Sequence, residues 1–198
     1  MHTFPITGVI LAGGRGSRLG GRDKGLLEIA GRPLIEHLIG ALMPQVDSLL
    51  ISANRNLDRY ATYGLPVIED ATDGYLGPLA GILSALRAAQ SPYILTVPCD
   101  SPLLPAEYAT RMHAALTRQH ASLCVAHDGM NMQPAFALLS RGLVESIDDY
   151  LASGERKLQT WLADQHPAFA DFSDQPQMFI NINTPHDLAQ IQQRFATC

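Results

Sequence analysis

The sequence predicts a single-domain α/β fold with three layers, doubly wound around a mostly parallel sheet. Two observations carry this expectation. Short, nearly unbroken apolar runs recur along the chain and end at Gly, Pro or polar residues, and segments of helical periodicity alternate with them. Strands that are apolar at successive positions belong to parallel sheets with helices on both faces. A chain of 198 residues buries roughly 70% of its extended surface on folding, enough for one real core.

Residues 6–11 (I-T-G-V-I-L) run into glycines and read as a buried first strand. Residues 33–43 follow as a helix with Leu34, Ile35, Leu38, Ile39, Leu42 and Met43 on one face. Residues 47–53 and 65–69 read as the next two strands. Gly77-Pro78 opens a helix with Leu79, Ile82, Leu83 and Leu86 at i, i+3, i+4, i+7, and proline suits its first turn. Residues 93–97 form a strand stopped by Pro98, followed by a helix from about Pro105 to Gln119. The second half is less regular, with strands expected near 121–126, 132–139 and 178–182 and helices near 142–152 and 185–195. Thr184 reads as the last helix's N-cap, with Asp187 at the capping-box position.

No apolar run approaches the ~18 residues of a membrane span, so a membrane partner is not expected. The N-terminal Met1-His2-Thr3-Phe4-Pro5 lacks the pattern of a secretory signal, and three cysteines (Cys99, Cys124, Cys198) suggest no disulfide framework or four-cysteine zinc site. The cytoplasm is therefore the expected compartment. The net charge of −5 argues against a general nucleic-acid surface. Residues 1–32, however, carry five cations against two carboxylates, whereas the rest of the chain is strongly acidic. One basic, glycine-rich segment in an acidic protein suggests either a small anionic ligand held at one place or a solvated loop.

That segment is the loop after the first strand, Leu11-Ala12-Gly13-Gly14-Arg15-Gly16-Ser17-Arg18-Leu19-Gly20-Gly21-Arg22-Asp23-Lys24-Gly25. Its glycines allow backbone N–H groups to converge on phosphate oxygens. The dinucleotide fingerprint starting at Gly14 fails at Leu19, and the P-loop pattern fails because Gly16 and Gly21 are followed by Arg22. A phosphate cradle supplemented by Arg18 and Lys24 remains, which points to a nucleotide.

Ligands of open α/β sheets bind beyond the carboxyl ends of the strands. There the sequence places Ser52-Ala53-Asn54-Arg55, Glu69-Asp70 and Pro98-Cys99-Asp100-Ser101-Pro102. Asp100 is the best candidate for a Mg2+ carboxylate, with turn capping as the alternative. Cys99 reads as a packed cysteine rather than a nucleophile, since no histidine is near it in sequence. The histidines show no H-E-x-x-H pair, no G-x-S-x-G elbow exists, and the single Trp161 gives no stacking platform for nucleic acid.

In order along the chain stand L-A-G-G-x-G-x-R (11–18), G-G-R-D-K-G-L-L (20–27), G-R-P-L-I-E-H (31–37), A-N-R (53–55), E-D (69–70), G-P-L-A-G-I-L (77–83), P-C-D-S-P (98–102) and N-I-N-T-P (181–185). The chain thereby resembles the bacterial molybdenum cofactor guanylyltransferase family, which joins GMP to molybdopterin. The resemblance implies one domain with a Rossmann-like nucleotidyltransferase half (about residues 1–105) and a smaller acceptor-binding half for molybdopterin (about 106–198). It implies GTP contacts at Leu11, Ala12, Gly13, Gly14, Lys24, Asp70 and Asp100, with Mg2+ on Asp100. Where the family often carries asparagine this chain carries Ser52, a hydroxyl in place of an amide, and Asn54 is placed to share the role. Lys24, Asp100 and Arg18 are the expected catalytic residues, and Asn181 and Asn183 match asparagines of the molybdopterin side. Arg156 and Lys157 either meet the pterin phosphate or end a helix in solvent.

The sister family that transfers CMP tends to read L-A-A-G, so Gly13 favours the larger purine. Transient contact with molybdopterin-delivering proteins and molybdoenzyme chaperones is also implied. The other readings are the CMP-transferring enzyme, a sugar-phosphate nucleotidylyltransferase and a non-catalytic GTP-binding cofactor carrier.

Overall fold

In the computed structural model, residues 4–14, 21–70 and 77–196 are described. Seven strands form one sheet: β1 (Ile6–Leu11), β4 (Ser48–Ser52), β5 (Val67–Ile68), β6 (Tyr93–Pro98), β7 (Leu123–His127), β8 (Met132–Ser140) and β9 (Ala168–Asp171). A separate hairpin pairs β2 (Glu28–Ile29) with β3 (Arg32–Pro33). The helices are α1 (Leu34–Leu42), α2 (Leu57–Ala61), α3 (Pro78–Ala88), α4 (Tyr108–Arg118), α5 (Val144–Ala152), α6 (Leu158–Asp164) and α7 (Pro185–Ala196). Spatial strand order is β5-β4-β1-β6-β8-β7-β9. All neighbours are parallel except β8, which runs antiparallel to both β6 and β7.

Two cores explain the unbroken apolar runs. Ile6 and Ile10 of β1, Leu49 and Ile51 of β4, and Leu95 and Val97 of β6 face a cluster closed by α1, α4 and Tyr60 of α2. The alternate residues Val9, Leu50 and Ile94 face a second cluster closed by α3, α5 and α6. Each strand is therefore apolar at successive positions because both its faces are covered. A third, smaller cluster joins Leu27, Ile29 and Leu34 to Ile182 and Ile191, and so docks α7 on the β2–β3 hairpin.

The chain passes from β1 to β4 and β5 on one side, then returns to place β6 on the other side of β1. The crevice between the ends of β1 and β6 is thus the topological switch point, where ligands of such sheets bind. On its far side β6 pairs with β8 only from Tyr93–Ser140 to Leu95–Leu138. Beyond that point the fully buried Thr96 bridges the strands with its side chain. Its Oγ1 donates to Ala135 O at 2.9 Å and accepts from Ala137 N at 3.1 Å. The parting strands leave room for a cleft.

The expected strand at 178–182 is not a strand. Pro176–Phe179 is a 3-10 turn and the following residues are irregular. Met178 enters the α1/α4 core while Ile182 enters the α7 cluster, so the two do not share a strand face. α2, α6, β9 and the β2–β3 hairpin are additional to the sequence expectation, and β5 is shorter than it. The predicted capping box is present: Thr184 N donates to Asp187 Oδ2 at 2.8 Å, and Asp187 N donates to Thr184 Oγ1 at 3.2 Å.

Thr96→Val preserves shape but leaves the Ala137 amide without its acceptor in the core. An unsatisfied buried donor costs about 1–3 kcal/mol. Denaturant unfolding of this variant is expected to show a loss of that size.

Candidate functional site

Lys24 begins a 3-10 turn, Lys24–Leu26, that follows the glycine loop. Its Nζ donates to Asp100 Oδ2 at 2.7 Å and to Asn183 Oδ1 at 2.6 Å. Both side chains of the ion pair are largely shielded, with 19% exposure for Lys24 and 15% for Asp100. Shielding from water strengthens the Coulomb attraction within such a pair at the cost of desolvating both charges.

Each partner is held by its own local chemistry. Asp100 follows β6 directly, and Cys99 N donates to Leu11 O at 3.0 Å, carrying the β1–β6 pairing one residue onward. Ile182 N donates to Asp100 O at 2.9 Å, and Ser101 Oγ donates to Asn181 Oδ1 at 2.6 Å, so the segment before α7 is laced to the segment after β6. Asn183 N donates to Asp187 Oδ2 at 2.9 Å, which ties Asn183 to the α7 cap. Those amide bonds hold the Asp187 carboxyl below its ordinary range.

A second polar group lies beyond β4 and β5. Asn54 Nδ2 donates to Asp70 Oδ2 at 2.8 Å, and Asp70 N donates to Asn54 Oδ1 at 2.9 Å. Burial pushes the Asp70 carboxyl above its usual range against the opposing effect of the Asn54 amide. Ser52 is only 2% exposed. A Cβ added at Gly81 of α3 would stand 2.7 Å from Ser52 Oγ, so the hydroxyl is packed under that helix. Asn54 and Asp70, both half-buried, hold the outer position. A Cβ at Gly13 would stand 3.0 Å from Asn54 Nδ2, so the Gly13 backbone lies directly against this pair.

Along the first turn, Leu11 ends β1 and Ala12 is buried with its amide donating to Ser52 O at 2.7 Å. The Ala12 amide therefore belongs to the sheet and is not a phosphate donor as it stands. Gly13 is half-buried and Gly14 exposed. Arg18 lies outside the described residues. Cys99 is packed, and burial together with the Asp100 carboxylate raises its thiol.

On the other side of Asp100 opens a cleft of about 900 Å3, lined by Pro98, Asp100, Gln133, Phe136, Lys157 and Asn181 among others. The two adjacent basic residues separate here. Lys157 lines the cleft, whereas Arg156 Nη1 donates to Leu151 O at 2.6 Å and so satisfies a carbonyl near the end of α5. For Arg156 the structure favours the helix-end reading. Asn183 stands with Lys24 and Asp100 themselves, closer to the nucleotide residues than the sequence reading places it. Gln133 of β8 and Thr160 of α6 also line the cleft, and no sequence motif marks them.

A family model described as the MobA-like NTP transferase domain matches residues 8–169. The molybdenum cofactor guanylyltransferase of Shewanella loihica is 48% identical over 191 residues, covering 96% of this chain and 97% of its own. That of Shewanella sediminis is 49% identical over 194 residues, covering 98% and 99%. The molybdopterin-guanine dinucleotide biosynthesis protein A of Archaeoglobus fulgidus, at 20% identity, superposes with a TM-score of 0.82 over 97% of this chain and 100% of its own. That last likeness shows the fold.

The raised Asp70 carboxyl sets a pH dependence. An acid with a raised folded pKa binds its proton more readily in the folded state, so its stability contribution is greatest below the ordinary carboxylate pKa and falls as pH rises through the raised value. Asp70→Asn is expected to raise Tm relative to the parent at about pH 7, with the advantage shrinking near pH 4. Thermal unfolding at both pH values checks this, and a pH-independent difference contradicts it.

Proposed function

The chain belongs to the MobA-like NTP transferase family, and on that premise we propose that it transfers GMP from GTP to the terminal phosphate of molybdopterin, releasing pyrophosphate. The observation that carries the reading is the Lys24 ammonium held at the switch point by Asp100 and Asn183. Curated guanylyltransferases match the chain at nearly half identity over almost its full length, and this supports guanine as the base and molybdopterin as the acceptor.

In this reading the acceptor phosphate oxygen forms a bond to the α-phosphorus of GTP while the bond from that phosphorus to the bridging oxygen of pyrophosphate breaks. A phosphate monoester is largely ionised at pH 7, so the nucleophile needs no strong general base. Rate enhancement then comes from alignment and from charge placed where it develops. Lys24 neutralises triphosphate oxygens, exchanging its bond to Asp100 for bonds to phosphate. The amides of Gly13 and Gly14 and the guanidinium of Arg18 are the further donors assigned to the triphosphate. Asn54 orients Asp70 toward the base, whose N–H donors require an acceptor. The halves of the domain divide the work: residues up to about 105 take the nucleotide, and the cleft beside Asp100, with Lys157 and Asn181, takes the pterin phosphate.

Mg2+ fits the donor set. The Lys24 ammonium already sits between a carboxylate and an amide oxygen, the hard oxygens a divalent ion uses. Among the described residues no group of three or more His, Cys, Asp or Glu side chains is placed to hold a metal ion, so Asp100 would supply one carboxylate and the substrate phosphates most of the other oxygens. When bound, the ion supplies further charge neutralisation on the triphosphate. Among the described residues no helix is long and apolar enough to cross a membrane. We assign the protein to the cytoplasm, in transient contact with the proteins that deliver molybdopterin and receive the finished cofactor.

The test is pyrophosphate release on mixing the protein with GTP, Mg2+ and molybdopterin. Release is expected with GTP and not with CTP; release only with CTP, or only with a sugar 1-phosphate as acceptor, overturns the reading. Lys24→Ala is expected to lower the rate by about 10²–10³, or about 3–4 kcal/mol of transition-state stabilisation, with cooperative unfolding retained. Near-parental turnover by that variant would remove Lys24 from the mechanism.

A further inference from the structure

A carboxylate directly beside a phosphate-binding lysine is an electrostatic liability, because a bare Asp23 would repel the same anion that Lys24 attracts. In the structure Asp23 is not bare. Its side chain is only 5% exposed. Tyr60 Oη donates to Asp23 Oδ1 at 2.6 Å, and Gly25 N donates to the same oxygen at 3.2 Å. Asn56 Nδ2 donates to Asp23 Oδ2 at 2.8 Å, and the Arg55 guanidinium stands beside that oxygen with Nε at 3.5 Å. The rest of the Arg55 fork grips the chain just before Asp23, donating to Gly21 O at 2.8 Å and to Arg22 O at 3.0 Å.

All these donors except Gly25 come from the segment that follows β4 and runs into α2, whereas Asp23 and Lys24 belong to the crossover after β1. The fit is close: a Cβ at Gly25 would stand 2.6 Å from Tyr60 Oη, so the peptide after Lys24 is pressed against the same hydroxyl that holds Asp23. Burial and the neighbouring Cys99 and Asp23 keep the Tyr60 phenol protonated and therefore a donor.

We propose that Asp23, clamped by Tyr60, Asn56 and Arg55, is a positioning residue for Lys24, which fixes where the ammonium stands relative to the triphosphate. The proposal rests on the GTP reading and adds to it a clamp that none of the phosphate-directed residues contains. Displacement of a catalytic group by about 1 Å can cost on the order of 10²-fold in rate. Asp23→Asn keeps the shape but gives the donors an amide, and Tyr60→Phe removes one donor while keeping the ring in the core.

The experiment is a double-mutant cycle in single turnover with radiolabelled GTP, which keeps the Lys24→Ala background readable. Residues that act through one another are non-additive. In the parent, Asp23→Asn is expected to slow transfer about 10–100-fold and Tyr60→Phe about 3–10-fold, with KM for molybdopterin unchanged. In the Lys24→Ala background each should cost less than about 2-fold. Equal losses in both backgrounds would make the clamp merely structural, and no loss in the parent would remove it; either result overturns the proposal. Should Asp23→Asn fail to fold, Tyr60→Phe carries the same cycle alone. Parental protein that neither binds GTP nor releases pyrophosphate refutes the reaction itself, an outcome distinct from failure of the clamp.

Discussion

One ammonium group holds together three stretches of chain that are far apart in sequence. Lys24 lies 76 residues from Asp100 and 159 from Asn183, yet its Nζ bonds both. A largely shielded carboxylate at a strand end is tolerable only when a charge or several donors meet it. Lys24 meets that need for Asp100, and the α7 cap and the backbone bond from Ile182 to Asp100 bring Asn183 to the same place. The arrangement gives the shielded carboxylate its counter-charge and holds the ammonium at the switch point.

The sheet determines what stands on either side of this point. Toward β4 and β5 the buried Ser52 and the Asn54–Asp70 pair form a polar edge against the Gly13 backbone. Toward β8 the ladder ends at Leu95–Leu138 and Thr96 takes over the bonding, so the strands part and the cleft assigned above to the acceptor opens. Asp100 stands between the two because it follows β6, which lies between β1 and β8. The switch-point crevice and the neighbouring cleft thus arise from a topological reversal on one side of β6 and an antiparallel neighbour on the other.

The parallel half of the sheet was legible because its strands are short apolar runs punctuated by Gly and Pro, and the two cores account for that pattern residue by residue. The capping box of α7 was legible for an equally local reason. Residues 178–182 misled because Met178, Ile180 and Ile182 alternate as in a strand, while their burial goes to different clusters. β9 is built on Ala168 and Ala170, too small to give a strong periodic signal. In the site, Asp100, Asn54 and Asp70 stood out by residue type and by place at strand ends, and Lys24 by its place in the glycine loop. The bonding of Asn183 to Lys24, the burial of Ser52 under Gly81 and the place of Lys157 in the cleft depend on contacts between distant segments. Asp23 was invisible as a functional group because, in sequence, it merely lowers the charge of a basic loop.

The most direct test of this account is a crystal structure with GTP and Mg2+ bound. The triphosphate is expected in the crevice between the ends of β1 and β6, with Lys24 Nζ on phosphate oxygens and drawn off Asp100. A triphosphate bound elsewhere, with Lys24 still paired to Asp100, would contradict it.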